Sequence, residues 1–275
     1  IALGVTLSGM AKVKINRKPT ENIEAYDQYL QGKQEWLKFK TTRDTIYLER
    51  LRQHAAKAIH LDPNFAEPYF SLAITYAAGA DLNTWKGDSI EKYLDKGLKL
   101  YPESGEGISL KSQFLFFIKH DTTAAVEMAK RGIENDIYDR SLLMWVGFLY
   151  HYWFQDGREV IGLQYYLKAY YTFHDDEDSW TTWCIGIFFS HMGDFHRAES
   201  FYKESLKRFP DEIDVLEYLA TVYLWEGDFK KLEQLIPEFE RLHNKNLLND
   251  YTHLRWSATL NLYSGKYIEG LKDCE

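Results

Sequence analysis

The sequence lacks the features of several common functional classes. None of its 275 residues belong to a run of roughly 18 or more apolar side chains, so no membrane-spanning helix is predicted. A formal net charge of −8 argues against extensive nucleic-acid binding, because neutralising phosphates requires a basic surface. Its two cysteines, Cys184 and Cys274, have neither the spacing of metal ligands nor that of a disulfide framework. They do not indicate whether the protein occurs in a reducing or an oxidising compartment.

Sequence signatures of common enzymes are missing as well. No G-x-x-x-x-G-K-[ST], G-x-G-x-x-G, H-E-x-x-H or G-x-S-x-G occurs. The nine histidines are scattered, whereas a metal site needs three or four converging ligands. We therefore expect no catalytic residue, no metal site and no cofactor, although a triad assembled from distant residues stays open at this point.

One acidic cluster, HDDEDSW, allows two interpretations. Asp175, Asp176 and Asp178 could bind a divalent cation, or they could form a solvated loop that stabilises the start of the helix at Ser179. An EF-hand loop would need a glycine and a distant glutamate, and both are absent here. The pattern favours the solvated loop.

Aromatic residues and regularly spaced turns are abundant. The chain has 8 Trp, 20 Tyr and 16 Phe, which in a helical protein predicts large flat contacts between helices. Glycines separate apolar stretches at intervals of 36, 34 and 38 residues, at Gly157, Gly193, Gly227 and Gly265. Glycine permits a positive φ where one helix ends, and Asp194 and Asp228 then favour the start of the next helix.

Prolines and small residues repeat with the same period. Pro63, Pro102 and Pro210 follow helical patterns at spacings of 39 and 108 residues, which are one and three repeat units. Small residues, which let helices approach closely, recur every 34 to 39 residues in the first helices, at Ala73, Ser112, Gly147, Gly186, Ala220 and Ala258. A matching series in the second helices comprises Ala58, Gly97, Gly132, Ala169 and Ser205.

Together these markers predict consecutive helix pairs. The predicted pairs are 24–37 with 46–60, 66–78 with 88–100, 105–118 with 122–135, 140–154 with 158–173, 179–192 with 195–209, 212–226 with 229–243, and 250–264 with 266–275. Each pair cannot bury its apolar face alone, so the fold expected is all-α, with neighbouring pairs stacked on one another.

The pattern resembles the tetratricopeptide repeat family. In the fifth unit the matching residues are Ile185, Gly186, Phe189, Gly193, Ala198, Tyr202, Ser205 and Pro210, and in the sixth they are Leu219, Ala220, Tyr223, Gly227 and Phe229. The resemblance implies a right-handed α-α superhelix of about six to seven helix pairs, the last one truncated. Two departures stand out: Lys111 occupies a position where Leu is typical, and Pro237 lies inside a second helix, where it should produce a kink.

A second resemblance covers the start of the repeats. The run KPTENIEAYDQYLQGKQEWLKF, residues 18–39, is similar to the lead-in to repeat regions of bacterial signalling proteins that carry winged-helix, nucleotide cyclase or kinase domains, often with a TolB-like segment. The resemblance implies a regulatory tail, with residues 1–20 as an N-terminal arm or the end of an upstream domain and residues 21–275 as the repeat domain. Either a cytoplasmic or a periplasmic location fits. Thr20 or Asn22 is expected to cap the first helix, with Glu24 reaching back to its start.

Partner-binding residues are predicted from the repeat geometry. In a stack of helix pairs the first helices line the concave wall, and the groove positions lie three before, one after, and four or five after the small residue. The candidates are Phe70, Ile74, Met144, Phe148, His151, Tyr152, Trp183, Ile187, His191, Glu217, Thr221, Trp225, Arg255, Thr259 and Tyr263.

The chemistry of these positions defines the expected partner. They carry many aromatic residues and few charges, unlike tetratricopeptide proteins that clamp an acidic terminus with Lys and Arg. We expect an apolar or mixed peptide or protein segment as the partner, with no direct contact to nucleic acid or membrane. The same rings could instead form core between repeats, since buried aromatics are common there.

Two other functions stay open. An all-α toroid enzyme or carbohydrate-binding domain with an aromatic-lined pocket would also use many aromatic residues, and it would present two carboxylates near one pocket. The aromatic faces could alternatively serve self-association of the chain.

Overall fold

We analysed a computed structural model of the chain. It describes residues 17–42, 44–77, 87–134, 139–153, 159–173, 179–245, 247, 250–263 and 265. Within these residues the chain forms thirteen α-helices and no strand. The fold is therefore all-α, as the repeat pattern predicts.

The chain divides into two compact units, Ile1–Phe173 and His174–Glu275. The helices of the first unit are α1 (Ile23–Thr42), α2 (Ile46–Leu61), α3 (Glu67–Ala77), α4 (Gly87–Leu100), α5 (Gly105–Phe117), α6 (Thr122–Glu134), α7 (Arg140–Phe148) and α8 (Glu159–Thr172). A π-helical turn, Leu149–Trp153, continues α7. The helices of the second unit are α9 (Trp180–His191), α10 (Phe195–Arg208), α11 (Ile213–Glu226), α12 (Phe229–Asn244) and α13 (Asp250–Tyr263).

The predicted helix pairs are confirmed wherever the chain is described. Odd-numbered helices are the first members of each pair and even-numbered helices are the second members. Closely packed helices are neighbours in sequence, and first helices also contact the next first helix, as α5 does with α7 and α9 with α11. The last predicted helix, 266–275, lies outside the described residues, as do residues 1–16 of the expected arm.

Turn residues account for the helix ends. Gly193, Gly227 and Gly265 have φ values of 73°, 70° and 84°, the left-handed conformation that glycine adopts without steric cost. Asp194 and Asp228 then accept hydrogen bonds from backbone N–H groups three residues later, both at 3.1 Å, and so begin the next helices. Gly157 lies outside the described residues.

Small residues and large rings fit together where helices cross. The Phe70 ring is fully buried between α4 and α5, and a Cβ atom added to Gly97 or Gly107 would lie 2.4 or 2.5 Å from it. In the second unit a Cβ atom on Gly186 would lie 2.4 Å from the buried ring of Tyr202. The spacing of small residues thus records the closest helix approaches.

The structure accounts for one of the two departures from the repeat pattern and for the start of the first helix. Lys111 replaces an apolar contact with ion pairs to Glu91 at 3.1 Å and Asp95 at 2.9 Å, which join α5 to α4. Asn22 caps α1, because its Oδ1 accepts a hydrogen bond from the Ala25 N–H at 3.0 Å. Pro237 lies inside α12, which continues to Asn244, and the kink there stays a prediction.

Candidate partner-binding surface

The fifth residue after each small first-helix residue is exposed throughout the described chain. We call these the outer ring positions, and they are Phe117, Tyr152, His191, Trp225 and Tyr263. The exposed fractions of the four large aromatic side chains are 45%, 37%, 55% and 62% in chain order. Rings that remain about 40–60% exposed keep a large apolar area that a partner can bury.

Rings of the first unit form a continuous aromatic surface across two first helices. The Phe148 ring centroid lies 6.2 Å from that of Phe117 on α5 and 4.8 Å from that of Tyr152. Phe148 also stacks on Trp145 at 5.1 Å, and the Trp145 indole donates a hydrogen bond to Ser112 Oγ at 2.6 Å. The exposed rings are therefore supported by a hydrogen-bonded ring beneath them, which lowers the entropy that a partner would have to remove.

The π-helical turn after α7 carries one buried ring and one exposed ring. His151 lies four residues after Gly147 and is buried, whereas Tyr152 lies five after it and is exposed. Gly147 and Gly162 face each other there, since a Cβ atom on Gly162 would lie 2.8 Å from the Gly147 carbonyl oxygen. Because π-helical turns are frequent at functional sites, their occurrence here favours a functional role for Tyr152.

Trp225 and Tyr263, the outer rings of the second unit, each contact the first residue of the preceding second helix. Trp225 lies 6.1 Å from Phe195, and Tyr263 lies 6.3 Å from Phe229. Both phenylalanines directly follow the capping aspartates of the Gly-Asp-Phe turns. The same turn that begins α10 and α12 therefore also supports an outer ring.

His191, the remaining outer ring position, is an uncharged ring at neutral pH. Its side chain reaches solvent, yet desolvation by its surroundings lowers the pKa of the imidazole below the ordinary value. The neutral form is therefore dominant at pH 7, and this position adds no charge to the surface.

The two charged groove candidates of the second unit neutralise each other. Arg255 donates a hydrogen bond to the Glu217 carboxylate, which also accepts one from the Trp256 indole N–H at 3.2 Å. Arg255 lies over the Trp256 ring, with its guanidinium carbon 5.2 Å from the ring centroid. A ligand carboxylate would have to compete with Glu217 for this arginine, which disfavours an acidic clamp.

The remaining predicted groove residues differ in their exposure. Phe70, Met144, His151 and Ile187 are buried, so their side chains belong to the core and offer no surface to a partner. Those that are partly exposed are Ile74, Phe148, Trp183, Glu217, Thr221 and Thr259. The position three before the small residue is buried in α3 and α7 but partly or fully exposed in α9, α11 and α13.

A cavity of about 70 Å³ opens between α3, α4 and α5. Ile74 and Phe117 lie at its partly exposed side, so it adjoins the outer ring surface of the first unit. Its described lining residues include no carboxylate, so no acid–base pair of the kind a hydrolase uses is found among them. The buried residues at its floor are Ala73, Ile90, Leu94 and Phe114.

Comparison with solved structures identifies the fold. A PilF structure from Pseudomonas aeruginosa matches with a TM-score of 0.58 and 16% identity, over 76% of this chain and 88% of that one. TTC0263, a thermophilic TPR protein from Thermus thermophilus, matches with a TM-score of 0.53 and 13% identity, over 73% and 99%. The chain has a tetratricopeptide-repeat fold.

A third similar structure shows that this fold also occurs in a larger chain. The human IFIT1 dimer with m7Gppp-AAAA matches with a TM-score of 0.64 and 14% identity, over 82% of this chain and 54% of that one. At these identities the likeness concerns the fold alone. No protein-family model matches the sequence, and no curated protein matches it either.

The groove rule, applied to the third repeat, identifies residues that the candidate set omitted. Taking Ser112 as the small residue gives Ser109, Gln113 and Phe117. Gln113 and Phe117 line the cavity, and Phe117 is an outer ring position. The spacing that identifies the groove positions in the other repeats also identifies these residues when it is counted from Ser112.

Metal ligands, a membrane-spanning helix and the two cysteines are the other features considered from the sequence. No group of three or more His, Cys, Asp or Glu side chains there could hold a metal ion. No described helix is long and apolar enough to cross a membrane. Cys184 is buried, whereas Cys274 and the acidic cluster at 175–178 lie outside the described residues.

Proposed function

We propose that this chain is a non-catalytic protein–protein interaction module that binds an apolar or aromatic segment of a partner along its first helices. The observation that carries this proposal is the distribution of exposed apolar side chains. Of the thirteen large apolar side chains exposed in the described residues, ten lie on first helices or the turn directly after them. Second helices carry three, which are Ile46, Val160 and Tyr171.

The chemistry of the outer ring positions supports an apolar partner. Large aromatic side chains with few rotatable bonds are the residues that most often dominate binding energies at interfaces. Arg255 and Glu217 neutralise each other, so the described surface of α11 and α13 gives little reason to select a charged terminus. An extended or helical segment with spaced apolar side chains fits such a row of rings.

We further propose that the module is the sensory or scaffolding tail of a bacterial signalling or transcription-regulatory protein. This part rests on the resemblance of residues 18–39 to the lead-in of such tails. The coding sequence upstream of Ile1 tests it: a winged-helix, cyclase or kinase domain there supports the proposal, and an unrelated enzyme domain contradicts it.

Peptide selection followed by mutagenesis tests the interaction surface. Random peptides displayed on phage would be selected on the full chain, and the best would be titrated by fluorescence anisotropy. The double variants Phe117→Ala with Tyr152→Ala, and Trp225→Ala with Tyr263→Ala, remove the outer rings of each unit. We expect at least one of them to weaken binding by about tenfold or more, as loss of interface anchors does.

Tyr171→Ala provides the matched control. Tyr171 is 65% exposed, close to the 62% of Tyr263, but it lies on a second helix. Its removal should leave peptide affinity unchanged. The proposal fails if neither double variant loses affinity, if Tyr171→Ala loses as much, or if light scattering shows that the outer rings are occupied by a second copy of the chain.

A further inference from the structure

The cavity between α3, α4 and α5 is suited to one particular kind of side chain. Its floor is completely apolar, and Leu94 and Ile90 there are 1% and 2% exposed. Its volume is about 70 Å³, and one side of it is open to solvent. A site of this kind binds apolar groups that enter from the surface.

The volume of the cavity limits which apolar side chains it can hold. Apolar cavities of about 150 Å³ hold benzene, and a single water occupies about 30 Å³ of the liquid. A cavity of about 70 Å³ is too small for a phenyl ring but fits the branched end of a Val, Leu or Ile side chain. An aromatic side chain would have to displace Phe114 or Leu94 from a closely packed core.

The orientation of one polar group at the mouth follows from its hydrogen bonds. Ser109 Oγ donates its proton to the Ser141 carbonyl oxygen at 3.1 Å, so it can only accept from Gln113. Gln113 Nε2 therefore donates to Ser109 Oγ, at 3.0 Å, which directs Gln113 Oε1 away from Ser109. No described residue donates to Gln113 Oε1, which leaves this oxygen as an acceptor at the cavity.

We propose that the cavity receives a branched aliphatic side chain of the bound segment while Gln113 Oε1 accepts a hydrogen bond from a backbone N–H of that segment. The proposal rests on the proposed function and specifies its anchor in the first unit. Phe117 belongs both to the cavity wall and to the outer ring surface, so a segment lying on the rings passes the cavity mouth. An apolar pocket beside a free acceptor is the pattern by which peptides are recognised through side chain and backbone together.

Small capped amino acids test the pocket without knowledge of the natural partner. The full chain, with ¹³C-labelled Ile, Leu and Val methyl groups, would be titrated with N-acetyl-L-leucine N-methylamide and with the phenylalanine analogue. The leucine probe should shift the methyl signals of Ile74, Ile90 and Leu94 in a saturable manner. The phenylalanine probe should leave the buried Ile90 and Leu94 signals unchanged.

Three variants separate the pocket from the rest of the surface. Leu110→Phe fills the cavity from its wall and should abolish the shifts, while Gln113→Leu keeps the apolar volume and should weaken leucine-probe binding roughly fivefold, as loss of one hydrogen bond does. Trp225→Ala lies in the other unit and should have no effect on this probe. Native methyl spectra of each variant confirm that it folds.

The outcomes distinguish this inference from the proposed function. The inference is supported if the leucine probe shifts the methyl signals of the full chain and Leu110→Phe abolishes these shifts. Equal binding of both probes, no shift at Ile90 and Leu94, or full binding to Leu110→Phe would overturn it. A selected peptide that depends on the outer rings but not on Leu110 or Gln113 would overturn the pocket while leaving the interaction module intact.

Discussion

Glu199 joins three consecutive helices of the second unit through one carboxylate. It lies on α10 and accepts hydrogen bonds from the Tyr223 hydroxyl on α11 and from Lys231 Nζ on α12, both at 2.9 Å. Lys203 pairs with the same group at 2.6 Å. Burial alone would raise the pKa of this carboxyl, but its hydrogen-bond donors outweigh burial and lower its pKa to about 2. Its charged form therefore stabilises the contact between repeats.

Replacing Glu199 by Gln should destabilise the fold in a pH-dependent manner. The folded pKa of about 2 lies below the ordinary value of about 4.3, so the stabilisation is complete above pH ~4.3 and is lost as the pH falls towards 2. We expect Glu199→Gln to lower the free energy of unfolding at pH 7 by about 1–3 kcal/mol. Urea unfolding at pH 7 and at lower pH measures the difference, which should shrink on acidification.

Glu204→Gln is the matched control on the same helix. Glu204 pairs with Arg208 at 3.8 Å, with its side chain 33% exposed, and ion pairs at the surface contribute about 0–1 kcal/mol. It should change stability little at any pH. Two results would show that the network does not stabilise the repeats through charge. One is a loss of unfolding free energy in Glu199→Gln that stays constant with pH, and the other is an equal loss in Glu204→Gln.

The two helices of a pair cross where a glycine of one packs against an aromatic ring of the other. This contact determines how closely the two helices pack. Gly186 on α9 leaves room for the Tyr202 ring on α10, and Gly147 on α7 does the same for Tyr166 on α8. Both tyrosines are fully buried. The small residue therefore has a steric role at the crossing, separate from any effect on helix propensity.

Gly186→Ala and Gly32→Ala should have opposite effects although both lie inside helices. Alanine at 186 places a Cβ atom 2.4 Å from the Tyr202 ring and should cost about 1–3 kcal/mol through overpacking. At Gly32 the nearest atom is the flexible end of Leu51 at 3.1 Å, and alanine gains up to about 1 kcal/mol in helix propensity. Thermal unfolding compares the two. Equal stabilities would contradict a steric role for Gly186.

Helix boundaries could be predicted from sequence because local residues encode them. Gly193 with Asp194, and Gly227 with Asp228, end one helix and cap the next without help from distant contacts. Side-chain exposure at the position three before the small residue could not be predicted in this way. Phe70 and Trp183 occupy equivalent positions, yet Phe70 is buried because Gly97 and Gly107 open space for its ring. Such space depends on neighbouring helices, which a single repeat does not reveal.

Outer ring positions were more predictable than the inner groove positions. A residue five after the small residue lies at the end of the first helix, beyond the crossing point, so the neighbouring helix covers it less completely. Tyr152, Trp225 and Tyr263 were accordingly predicted and are exposed, whereas Met144 and Ile187 near the crossing are buried. Whether the exposed rings bind a partner stays a prediction.

At the scale of the whole molecule, each unit is a stack of helix pairs that bury their apolar faces against near neighbours. A peptide bound along first helices should therefore stabilise those helices locally, with little effect on the backs of the second helices. Stability in repeat proteins is distributed over such neighbouring contacts, so the site of binding can be located from local protection.

Amide hydrogen exchange of the full chain, with and without a selected peptide, tests the central claim most directly. The account predicts slower exchange at the ends of first helices that carry outer rings, in one or both units, and unchanged exchange across the second helices α8 and α10. Protection concentrated on α8, where Tyr171 is exposed, or protection absent from every first helix, would contradict it.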